Sequence, residues 1–60
     1  MARLKGLNAT DAHFYMVSHG WHVQESRLNQ SVIFIIYVKG GFNAVLFISR
    51  STHEVQEVMQ

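Results

Sequence analysis

The chain has 60 residues, a formal charge of +1 from five Lys or Arg against four Asp or Glu, no cysteine and no proline. That length makes one domain, residues 1–60, near the lower limit at which a hydrophobic core can carry a fold unaided. The composition excludes a disulfide framework or thiolate zinc cluster and a strong field for polyanions or anionic lipid, while the seven-residue apolar run from Val32 falls far short of the roughly 20 residues of a membrane-spanning helix.

Residues 1–7 read as a flexible arm. It carries Arg3 and Lys5, but Asn8, Thr10, Asp11 and His13 interrupt any apolar signal-peptide core, so the expectation is a soluble cytoplasmic protein with no membrane association. Asn8, followed by Asp11, is a helix start: Asn8 caps free amides and the acid sits at the positive end of the dipole, with Thr10 as a rival cap. The segment to His19 then forms a short helix over residues 9–19, with Ala12, Tyr15 and Met16 on its apolar stripe and Gly20 in the left-handed position after it.

From Trp21 the period changes to two, because Trp21, Val23 and Glu25 alternate with His22, Gln24 and Ser26. Leu28-Asn29-Gln30 turns the chain into the run Val32–Val38, and Gly40-Gly41 connects that run to a third strand, Phe42 to Arg50, as a two-residue hairpin in which both glycines take positive φ. Ser51-Thr52-His53-Glu54 has the spacing of a capping box, and Val55, Val58 and Met59 follow at helical intervals, so the chain ends in a short second helix. The expected fold is α+β: a helix, a three-stranded antiparallel meander and a short C-terminal helix, with both helices on one sheet face.

A hairpin closed at Gly40-Gly41 fixes its own pairing. Ile33 faces Ile48, Ile35 faces Leu46 and Tyr37 faces Ala44 on one side, which is wholly apolar and the better core. The other side pairs Phe34 with Phe47 and Ile36 with Val45, flanked by Val32 with Ser49 and Val38 with Asn43. Leaving Phe34, Ile36, Val45 and Phe47 wet forgoes about 1.5 to 3 kcal/mol each, roughly 6 to 12 kcal/mol together, which is comparable with the whole stability of a small domain. A patch of this kind marks an interface, so these four with Val32 and Val38 are the candidate protein-binding residues. Two alternatives compete: one helix on each face of a self-contained monomer, or edge-to-edge pairing through the Phe42 to Arg50 strand.

Four histidines invite a metal, but His19 and His22, the one close pair, straddle Gly20 and lack the i, i+4 geometry that aims two imidazoles at one ion, so no metal and no cofactor is expected. No catalytic residues are assigned: Ser18 and His19 are neighbours on a helix and should point apart, and Ser51, Thr52, His53 and Glu54 are explained as a cap. No small-molecule substrate is indicated.

The order helix, three antiparallel strands, helix resembles double-stranded-RNA-binding domains and the small toxin ribonucleases of HicA type, the latter also in a helix that ends at Gly20-Trp21 and leads into the first strand. The resemblance implies a nucleic-acid-binding module as the alternative reading; independently of it, the chain's own cations Arg3, Lys5, Arg27 and Arg50 are the candidate contacts for such a role, and Phe34 and Phe47 the candidate stacking platforms. Where the toxins carry glycine, serine and histidine this chain has Arg27-Leu28-Asn29-Gln30, and the lysine-rich helix start of the RNA-binding domains is replaced by Thr52-His53-Glu54, so neither family's ligand-contacting set carries over. The leading expectation is a small regulator or inhibitor that occupies a protein surface, with a second copy of itself or a host protein as partner. In size and economy it is similar to the small inhibitors encoded by phages and mobile elements, anti-CRISPR proteins among them.

Overall fold

In the computed structural model, residues 3–60 are described, and they form one helix and one four-stranded antiparallel sheet. The helix α1 spans Ala9–Ser18, and the strands are β1 (His22–Leu28), β2 (Val32–Lys39), β3 (Phe42–Ser49) and β4 (Val55–Met59), in the spatial order β1-β2-β3-β4. The fold is α+β. Among the described residues, no helix is long and apolar enough to cross a membrane.

Local chemistry sets the helix ends. Asn8 Oδ1 accepts from the Asp11 amide at 2.9 Å, and Asn8 Nδ2 donates to the Asp11 carboxylate at 3.1 Å, so the cap and the first-turn acid hold each other. At the other end His19 is the C-cap and Gly20 takes φ +90°, a value glycine adopts without a Cβ penalty, so that the amides of Gly20 and Trp21 close back on Val17 and Met16. The helix lays Ala12 and Met16 onto the inner sheet face, where they are buried with Leu4, Trp21, Tyr37, Ala44, Leu46, Ile48 and Val55. Every buried side-chain nitrogen or oxygen among the described residues has a hydrogen-bond partner. One of them is the Tyr37 hydroxyl, 2.8 Å from His13 Nδ1.

The central hairpin has the expected register in every pair, from Val32 opposite Ser49 to Lys39 opposite Phe42. Its turn differs in one respect. Gly40 has φ +59° but Gly41 has no positive φ, which is the pattern of a type II′ rather than a type I′ loop, and one glycine suffices for it.

The C-terminal helix expected after Ser51 is absent, and residues 55–59 form a fourth strand instead. Ser49 does the capping: its Oγ accepts from the Ser51 and Thr52 amides at 3.3 Å each, the His53 amide donates to the Ser49 carbonyl, and His53 turns the chain at φ +61°. The helical spacing of Val55 and Val58 has another origin. Ile48 pairs with Val55 and Phe47 with Glu57, so Gln56 is an extra residue in a bulge, and two residues three apart come to share the inner face. A second bulge at Gln24 overturns the simple alternation expected from Trp21. Val23 pairs with Tyr37 but Glu25 pairs with Ile36, which puts Val23 on the inner face and Glu25, with Arg27, on the outer one.

Residues 6–9 run beside the start of β4, joined by hydrogen bonds from the Gly6 amide to the Val55 carbonyl, from the Val55 amide to the Leu7 carbonyl and from the Ala9 amide to the His53 carbonyl, each 2.8 Å. They position Leu4, 1 % exposed, against the core. Residues 1 and 2, the rest of the arm expected from the sequence, lie outside the described residues. With β4 alongside it, β3 is an interior strand, which removes the edge pairing considered for Phe42 to Arg50.

Candidate interaction face

The single helix covers the inner side of the sheet. The two-sided helical cover considered for a self-contained monomer is ruled out because the second helix does not form, and the outer side carries no element of the described chain. Cross-strand partners share a face, so this outer surface can be read row by row from the register. Phe34 lies beside Phe47 and is flanked by Arg27 on β1 and Glu57 on β4. The next row sets Ile36 beside Val45, flanked by Glu25 and Met59. Val38 with Asn43 and His22, and Val32 with Ser49, close the two ends.

The centre is an apolar block two strands wide. The Phe34 and Phe47 rings meet edge to face, with centroids 5.1 Å apart and planes at 88°, the arrangement that ring quadrupoles favour. All six residues predicted for a protein interface, Val32, Phe34, Ile36, Val38, Val45 and Phe47, are on this face and half-buried in the single chain. The rims are polar on the β1 side and mixed on the β4 side, where Met59 is 57 % exposed. On the β1 rim the Arg27 guanidinium donates to the Glu25 carboxylate, and that hydrogen bond, followed by the attraction of the opposite charge, raises the arginine's pKa above its ordinary value.

No protein-family model, no curated protein and no solved structure matches this chain.

The cations expected to contact nucleic acid are divided among three segments. Arg3 and Lys5 are exposed on either side of buried Leu4, Arg27 is tied to Glu25 on the outer face, and Arg50 donates from Nη1 to the Asn29 carbonyl at 2.8 Å, binding the β3–β4 loop to the β1–β2 loop. Beside that bond is a shallow polar depression of 390 Å³ lined by Gln30, Ser31, Arg50 and Ser51. The remaining strand cation, Lys39, sits with Nζ 6.0 Å from the centre of the Trp21 ring.

Ser18 and His19 do not point apart as their spacing on a helix implied. Because His19 leaves the helix at the C-cap, its Nδ1 comes within 3.3 Å of Ser18 Oγ, and both groups also donate to the Tyr15 carbonyl. The His19 ring stacks on Tyr15 at 4.0 Å. Among the described residues, no three His, Asp or Glu side chains gather as a metal site.

Sequence reasoning missed Glu25, Glu57 and Met59 as members of the outer face. A signal was present in Glu57-Val58-Met59, which alternates with period two, but it becomes legible only once Gln56 is recognised as a bulge.

Proposed function

We propose that this chain is a small regulatory protein that acts by protein–protein contact and self-associates through the outer face of its sheet. One observation carries the reading: the Phe34–Phe47 and Ile36–Val45 pairs form a continuous apolar centre, framed by charge, on a face that no element of the described chain covers. Apolar centres with polar rims are the common anatomy of protein interfaces. An inhibitor working by occlusion fits the same surface, and the lack of cysteine fits a reducing compartment. Nucleic-acid binding receives less support, because Arg27 and Arg50 already hold partners and the aromatic pair is flanked by Glu57 as well as Arg27.

The test is sedimentation velocity of the wild type and Phe34→Glu over a wide concentration range, with far-UV circular dichroism to confirm folding. The expected result is a concentration-dependent dimer for the wild type and a folded monomer for the variant. A wild type that stays monomeric at the highest concentration refutes the self-association.

A further inference from the structure

Resting on that reading of the outer face, we infer that two copies pack sheet to sheet about a twofold axis parallel to β2 and β3, so that Arg27 of each protomer meets Glu57 of the other. A homodimer of this kind must be self-complementary: whatever one copy presents at a point, its partner presents at the point related by the axis. A twofold lying in the interface along the strands exchanges left and right and preserves the rows. It sets β1 over β4 and β2 over β3. Phe34 then covers Phe47 of the partner, Ile36 covers Val45, and Arg27 covers Glu57, all twice. Glu25 falls over Met59 while keeping its own Arg27, so the guanidinium stands between two carboxylates.

The rival twofold runs across the strands and exchanges the two central rows instead. It would put Phe34 over Ile36 and Arg27 over Glu25 of the partner, so that the arginine again meets a second carboxylate, but it leaves Glu57 over Met59 of the partner with no cation to meet, which desolvates a carboxylate uncompensated. Charge complementarity therefore selects the axis along the strands. Aligned sheets cross at about 30°, which at the outer strands is a displacement of about 4 Å, roughly half the spacing between rows and within reach of Arg and Glu side chains. A four-stranded face is roughly 19 Å by 24 Å, on the order of 450 Å² in projection, so the interface belongs to the small, weaker class with an expected Kd in the micromolar range.

The test uses Arg27→Glu and Glu57→Arg, each alone and mixed in equal amounts, with dimerisation followed by sedimentation and folding by circular dichroism. Each single reversal places like charges together twice and should weaken self-association by about tenfold or more, whereas the mixture restores both pairs and should form a heterodimer near wild-type affinity. As a second readout, the chain has no cysteine of its own, so Arg27→Cys mixed with Glu57→Cys should be joined by a short bismaleimide more efficiently than either variant alone. If Phe34→Glu abolishes a wild-type dimer but the mixed reversals associate no better than the singles, the axis is refuted and the face stands. If the wild type never associates, the inference and the self-association fall together.

Discussion

Tyr37→Phe isolates the contribution of a polar atom planted in the core. The tyrosine is fully buried, and its hydroxyl is satisfied by His13 Nδ1 at 2.8 Å on the exposed rim of the helix. Removing the oxygen leaves the ring packing intact and orphans nothing, since His13 can turn to water. The loss is therefore one net hydrogen bond, about 0.5 to 1.5 kcal/mol, or roughly 4 to 8 °C in Tm for each kcal/mol in a domain of this size. Burial also raises the Tyr37 pKa above the ordinary tyrosine value, because the phenolate loses more hydration than the phenol does. The folded state thus holds its proton more tightly than the unfolded state. The associated stability is fully present below the ordinary value of about 10 and is lost as pH climbs from there through the folded-state pKa. Urea unfolding at neutral and alkaline pH, with phenolate absorbance followed in a Tyr15→Phe background, measures both effects. Tyr37→Phe should be less stable at neutral pH and should lose part of the alkaline decline. If the variant matches the wild type at neutral pH and declines equally in alkali, the assignment of Tyr37 as a buried, hydrogen-bonded phenol is wrong.

Further expectations concern packing and turns. Leu46→Ala empties a fully buried site on β3 and should cost about 2 to 5 kcal/mol, enough to unfold much of the population at 37 °C, which thermal melts would show. His53→Gly relieves a left-handed backbone at φ +61° and should raise the melting temperature by a few degrees, an effect worth up to about 1 kcal/mol after glycine's greater unfolded-state freedom is subtracted. Ser49→Ala removes the acceptor for the Ser51 and Thr52 amides and should destabilise by about 1 kcal/mol in chemical denaturation.

The elements that were legible in the sequence are those with local, self-consistent signals. Asn8 with Asp11 announced the helix, and the glycine pair between two β-branched runs fixed a register that placed all six candidate interface residues on one face. Unbroken periodicity does not hold in β1 or β4. A single extra residue shifts everything beyond it to the other side of a sheet, so Gln24 moved Glu25 outward and Gln56 gave a strand the spacing of a helix. The serine signal before β4 was real but displaced by two positions, from Ser51 to Ser49, because a hydroxyl that accepts two successive amides serves a turn as well as a helix start. Arg27 and Glu25, two apart, share a face by simple alternation and could be paired from the sequence, but only the bulge at Gln24 turns that pair to the outer face beside Phe34 and Ile36.

The seam between residues 6–9 and 53–55 joins stretches that lie far apart along the polypeptide. Closing a ring over such a span costs more chain entropy than closing the nearer hairpins, so this clasp is expected to form after they have zipped. Leu4 is buried in the same cluster as Val55 at the start of β4, so the two segments close the interior together. Anything that frays the final strand also unseats the opening segment, and the two should breathe as one cooperative unit.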